Sequence, residues 1–325
     1  MRLTRPPARR IALLLALAVL LAPGTWWRSI IPDRQATVVR MVPLPFDRSG
    51  HNGLAVEGLW QIKGRGENFG GYSAMSLIGR RGIRLLSDRG FALSVPRPGP
   101  DAVDPMPYAT RQLHPFGFPP DELTDIESVT SDPATGQYWV GYENKHLIFR
   151  YAASGIPQAF VRPDYTRHWA DNGGIEAMVR LADGRFLVLR EHGGDLFVYP
   201  GDPVAGAQAE RGSVAWPADY SPTDAAQLPD GRLVVVLRRV VLALPVFECR
   251  LVLLDLRGWQ PGQELHPQPL VQLEDLVPRE NWEAVAVEPR TDGAVTLWLA
   301  ADDNRSALQR SLLARLRFMP PPIGQ

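Results

Sequence analysis

Cysteine is nearly absent from this 325-residue chain: Cys249 stands alone. No intrachain disulfide can form, and neither a disulfide scaffold nor a multi-cysteine metal site is available. Cys249 sits in the apolar run Phe247 to Leu254, which reads as a strand with a buried thiol. Lysine is almost as scarce, since Lys63 and Lys145 are the only two among 35 basic residues. The arginines form no cluster interleaved with aromatics and are balanced by 35 acids, so nothing points to a nucleic-acid partner. Of the six histidines, His51, His114, His146 and His266 have no constellation around them, and no zinc spacing emerges. There is no Walker loop, and KGRGENFGG is not a dinucleotide fingerprint. GYSAM lacks the second glycine of a nucleophile elbow, which leaves Ser73 a structural reading.

Long hydrophobic runs are missing too, with one exception at the start. Arg2, Arg5, Arg9 and Arg10 precede the apolar stretch Ile11 to Ala22, the n-region and h-region of an export signal. The stretch is short for a membrane span, although Trp26, Trp27, Ile30 and Ile31 extend it toward an interface. Residues 1–31 are therefore expected to be a signal sequence or an N-terminal membrane anchor. The protein would be exported, either periplasmic or held at the inner membrane facing the periplasm.

What the chain has instead is a repeat. GYSAMSLIGRRGIRLLSD, IESVTSDPATGQYWVGYE, IEAMVRLADGRFLVLRE, TDAAQLPDGRLVVVLRR and WEAVAVEPRTDGAVTLWLAADD each read as strand, Gly turn, strand. Aligned on Ser73, Glu127, Glu176, Asp224 and Glu283, they start 54, 49, 48 and 59 residues apart. This predicts an all-β fold, a single β-propeller over residues 36–318. Leu54 to Ile62 and Ser311 to Phe318 are expected to share a further blade that closes the ring, giving six.

The hairpin also places chemistry, because the residue opening its first strand lies beside the one closing its second. Glu127, Glu176, Asp224 and Glu283 are expected around one mouth of the central channel, with Glu143, Glu191 and Arg239 across the hairpins. Carboxylates converging on one axis repel unless a cation or a basic ligand joins them, so these four, with Asp303, form a candidate calcium site. Asp171, Asn172, Asp302 and Asn304 offer further oxygen ligands. Arg89, Arg238, Arg239 and Arg310 fall at or just past second-strand ends and are candidates for an anion clamp or for charge balance. Glu191 and His192 are the candidates for proton transfer, with His168 weaker.

These segments resemble the phytase-like family, named for an esterase-like activity of phytase. FGGYSAM followed by LLSDRG is similar to that family's FGGLSG and LSDRG pair. DIESVTSDPATGQYWVGYE, NGGIEAM, PTDAAQLPDGRLVVVLRR and NWEAVAVE with ADDN match its later elements in order. Ala74, Ser128, Ala177 and Ala284 stand where the family pattern has glycine. The resemblance implies an exported bacterial propeller and a metal-dependent hydrolase of phosphate monoesters or related esters. The expected partner is a small anionic ester, and the protein is expected to be a monomer. A non-catalytic propeller that binds a cell-envelope ligand and a calcium lactonase-like enzyme are the alternatives.

Overall fold

The computed structural model describes residues 38–64, 68–99, 106–107, 110–113, 116–118, 122–169 and 173–323. The N-terminal signal or anchor segment, Asp171, Asn172 and His114 lie outside these. Among the described residues the only helices are three short 3-10 turns, and none is long and apolar enough to cross a membrane.

Five sheets stand around an axis, each beginning with one repeat, and all pairs are antiparallel except where Glu264–Leu265 joins Glu210–Val214 in parallel. Blade 1 comprises Tyr72–Ile78, Gly82–Ser87, Phe91–Pro96 and Thr110–Gln112. Blade 2 comprises Ile126–Ser131, Tyr138–Tyr142, Leu147–Tyr151 and Pro157–Val161. Blade 3 is Ile175–Arg180, Phe186–Arg190, Asp195–Tyr199 and Glu210–Val214, extended by Glu264–Leu265. Blade 4 is Ser221–Gln227, Leu233–Val240, Phe247–Leu254 and Gln268–Gln272. Blade 5 runs Asn281–Pro289, Val295–Asp302 and Leu312–Phe318, then takes Leu54–Lys63, Val38–Pro43 and Met106–Pro107 as outer strands. The five first strands touch in a closed cycle and line the channel.

The propeller and its closure by strands from both ends follow the expectation, but the blades number five, not six. Leu312–Phe318 and Leu54–Lys63 complete the fifth repeat's own sheet, pairing Leu312 with Gln61, instead of building a separate blade. A three-stranded C-terminal sheet needs an outer partner for its exposed edge, and the N-terminal strand supplies it.

Each seam between neighbouring blades holds one apolar cluster, so the core is five wedges around the axis. The second strand of blade 4 shows why its run LVVVL is continuous. Val234 and Val236 face blade 5, whereas Leu233, Val235 and Leu237 face blade 3. Both faces of the sheet are buried, so the usual apolar–polar alternation disappears. Each such side chain contributes roughly 1.5–3 kcal/mol of burial. The tight turns at the end away from the mouth use Gly184 and Gly231, both at φ near +90°, where a side chain would be strained.

Candidate functional site: an acidic channel mouth

In every blade the pairing of first and second strands slips by one residue at the same place. The slip falls between Tyr72 and Ala74, Ile126 and Ser128, Ile175 and Ala177, Pro222 and Asp224, and Trp282 and Ala284. Such a β-bulge leaves one residue unpaired and re-aims its side chain. The bulged residues are Ser73, Glu127, Glu176, Thr223 and Glu283. A second set lies at the mouth level of each second strand: Asp88, Glu143, Glu191, Arg238 and Asp302, opposite Gly71, Asp125, Gly174, Ser221 and Asn281. Five-fold repetition of one backbone plan thus stacks two tiers of side chains at the mouth, carboxylates except for Ser73 in blade 1 and Thr223 and Arg238 in blade 4.

The acids concentrate on blades 2 and 3. Carboxylate oxygens of Asp125, Glu127 and Glu143 lie within 4.8 Å of one another, as do those of Glu143, Glu176 and Glu191. Glu143 belongs to both trios. It is buried and fixed, with one oxygen accepting from Gly173 N and from Gly174 N at 2.8 Å. Gly174 must be glycine for this contact, since a Cβ there would stand 2.7 Å from Glu143 Cγ and 3.0 Å from His146 Nδ1. Burial, followed by the charges of Glu176, Glu283, Asp125 and Glu143, pushes Glu127 well above the carboxylate range. Water still reaches Glu127, but protein surrounds it on the other sides. Glu176 is raised by burial and then by Glu191 and Glu143, and Asp125 rises to about 6, mainly by burial and then by Glu143. An oxygen-only donor set whose members destabilise one another's charge suits a hard cation, which would relieve the repulsion.

Across the mouth, Arg238 is the counter-charge. Its guanidinium pairs with Glu283 and donates to Asn281 Oδ1 at 3.0 Å, while Asn281 Nδ2 donates to Glu283 Oε1 at 2.8 Å. Burial opposes the charge on Arg238, yet Glu283 and Glu176 outweigh it and hold the guanidinium protonated. Glu283 therefore faces the channel as expected but is engaged by Arg238 and belongs to neither trio. On the blade 5 side Asp302 is buried, its Oδ1 has no hydrogen-bond partner, and burial together with Glu283 and Asp303 raises it well above the usual range. Arg89 follows Asp88, and its charge lowers the Asp88 carboxyl against the larger effect of burial.

Three of the expected site residues are placed elsewhere. Asp224 is not at the mouth: it follows the bulge, and its carboxylate accepts from Ala225 N and, across the seam, from Val285 N, both at 2.8 Å. It is a buried clasp between blades 4 and 5. Arg239 is turned outward for the same reason, one residue past Arg238, where it pairs with Glu248 and lies over the Tyr220 ring at 4.9 Å. Asp303 staples a loop, accepting from Gly71 N at 3.0 Å, Arg305 N at 2.9 Å and Ser311 Oγ at 2.8 Å. Arg310 is engaged with Glu280.

His192 stands at the rim, mostly exposed, with Nε2 3.1 Å from Glu191 Oε2. His146, for which no constellation was expected, is buried beside Glu143 with its ring edge-on to Trp169 at 5.6 Å. Trp169 in turn carries Arg190 on its face at 4.5 Å. Asp125 and Glu143 join the site although neither stood among the candidate ligands.

The family model for phytase-like proteins, "Esterase-like activity of phytase", matches residues 67–305. The chain belongs to this family. Among solved structures it is similar to a luciferin-regenerating enzyme, at 10% identity and TM-score 0.45 over 89% of this chain and 96% of that one. It is also similar to U3-55K, at 11% identity and TM-score 0.42 over 82% of this chain and 99% of that one. No curated protein matches its sequence. Family membership and the propeller agree with a hydrolase-like protein, with its conspicuous chemistry at the acidic mouth.

Proposed function

We propose that the protein is an exported, cation-dependent hydrolase of phosphate monoesters or related esters, with calcium the fitting cation. The observation that carries this reading is the pair of carboxylate trios sharing Glu143 at the channel mouth. Asp125, Glu127, Glu143, Glu176 and Glu191 would hold the cation, which supplies Lewis-acid polarisation of an ester or phosphoryl oxygen. Arg238, anchored by Glu283 and Asn281, would orient the anionic part of the substrate from the opposite side. His192 is exposed and within reach of Glu191, the arrangement needed to pass a proton between solvent and the leaving group. The partner would be a small anionic ester, and the propeller would act as a monomer in the periplasm or tethered to the inner membrane.

The test is hydrolysis of aryl phosphate, phosphodiester, acetate and lactone substrates by the purified chain, with calcium and with chelator. Calcium-dependent turnover of one class that vanishes in Glu176→Gln supports the proposal and names the reaction. Turnover indifferent to chelator, or retained in the variant, defeats it.

A further inference from the structure

Blade 4 differs from the other blades in its turn as well as in its mouth residues. In blades 1, 2 and 3 the second strand turns back at the level of the mouth, with Leu86 pairing Ala92, Tyr142 pairing Leu147 and Leu189 pairing Leu196. In blade 4 the ladder continues past Arg238 to a Val240–Phe247 pair, and Val241 N donates to Val246 O at 2.7 Å. At a rise of about 3.3 Å per residue, Val240 already stands about 7 Å beyond the mouth. The tip is apolar and unburied: Val240 is 74%, Leu242 110% and Leu244 76% exposed. Its foot carries two arginines, Arg239 and Arg279, on either side of Glu248, with Asp219 also near Arg239. Three large aliphatics in water at one projecting point are costly unless something covers them.

The attachment of the N-terminal segment indicates what that is. Val38–Pro43 runs antiparallel to Leu54–Lys63, with Val42 opposite Gln61, and Gln61 is opposite Leu312, whose other partner is Ala301 at the mouth. Val38 therefore extends four residues past Val42 on the mouth side. Only 15 residues lie between Ala22, the end of the apolar stretch, and Val38, a tether of at most about 50 Å. If that stretch lies in a bilayer, the chain leaves the fold toward it on the side of the mouth and the blade 4 tip.

We propose that this face docks on a lipid bilayer, with Leu242 and Leu244 entering the interface and Arg239 and Arg279 at headgroup level. An apolar tip above an arginine-bearing foot is the arrangement of an interfacial anchor. The acidic mouth is then held near the membrane surface without inserting.

The test uses the full chain reconstituted in phosphatidylcholine vesicles. Cys249 is buried, so a cysteine introduced by Leu242→Cys takes an environment-sensitive fluorophore selectively, and Ile323→Cys, at the far end, is the control. The expected result is a blue-shifted label at 242, quenched several-fold more by nitroxide lipids than the label at 323. Arg239→Ser combined with Arg279→Ser should reduce that quenching. A label at 242 that reports water, or that is quenched no more than the one at 323, overturns the proposal. So does a blue shift that appears without vesicles and grows with protein concentration, which would assign the tip to a second copy of the chain. These readouts do not depend on turnover, so they stand or fall separately from the hydrolase reading.

Discussion

Blades 2 and 3 and blade 4 share a backbone plan and differ in what it carries. At equivalent positions the former present Glu127, Glu143, Glu176 and Glu191, whereas blade 4 presents Thr223 and Arg238. The acidic side ends in short turns, and the other rises into an apolar hairpin. The comparison teaches that the bulge is the conserved device and the residue placed on it is free to vary. A propeller can hence put a carboxylate cluster and its counter-charge on opposite sides of one channel without altering the fold.

The largest effect should come from the acid that belongs to both trios. Glu143→Gln keeps the oxygen that accepts from Gly173 and Gly174 but removes the charge. Calcium-dependent turnover should disappear together with any rise in melting temperature on adding calcium. A calcium response left intact would move the site away from blades 2 and 3. Next in size is Arg238→Met on the opposite side. Removing one partner of a largely buried pair leaves Glu283 without its counter-charge, and about 3–5 kcal/mol of stability should be lost. Urea unfolding at pH 7 and at pH 5 checks this, because protonation of the glutamates should narrow the gap at the lower pH.

Asp224→Ala sharpens the contrast by separating the clasp from the mouth. Two backbone N–H groups would lose their acceptor, one of them across the seam, at a cost of about 1–3 kcal/mol. Calcium affinity by titration calorimetry should not change. A loss of calcium binding instead would return Asp224 to the cation site.

That pair of expectations also marks how far the sequence could be read. The strand–turn–strand repeat, the propeller and the acids of blades 2 and 3 were legible because the patterning of each hairpin is local. The blade count was not, because pairing of Leu54–Lys63 with Leu312–Phe318 is a contact between chain ends that no periodicity announces. Asp224 and Arg239 were both misplaced by a single residue. Counting back from the turn glycine shows why: Glu176 is eight residues before Gly184, and so is Thr223 before Gly231. Counting forward, Glu191 and Arg238 are each seven residues past theirs. An acid next to the true position attracted the alignment, and in a strand one residue of slip moves a side chain to the other face. Asp125 and Glu143 carried a fainter signal, an acid on either side of one hairpin mouth, and only the closing of the channel places them with Glu176.

A smaller effect separates the two sides by pH. The folded protein keeps protons on Asp125, Glu127 and Glu176 that the unfolded chain releases near pH 4. Their contribution to the stability of the chelated protein should therefore be greatest in acid, and the part carried by Asp125 should be lost as pH rises through about 6. Excess calcium should flatten that fall, because a cation bound to the carboxylates favours their charged form. Melting curves from pH 4 to 8 with calcium and with chelator test it, and parallel curves would mean that the trios bind nothing.

The smallest effect belongs to Arg239, and its smallness is informative. Arg238 and Arg239 are adjacent, identical in chemistry and indistinguishable by composition, yet the strand sends one into the channel and the other onto the outer face. Arg239 pairs with Glu248 and covers Tyr220 where solvent screens the charge. Arg239→Ala should leave turnover, calcium affinity and the melting temperature of the vesicle-free protein close to wild type. A large loss of turnover in Arg239→Ala would mean that blade 4 presents its second arginine to substrate after all. The anion would then be gripped from the rim and not from within the channel.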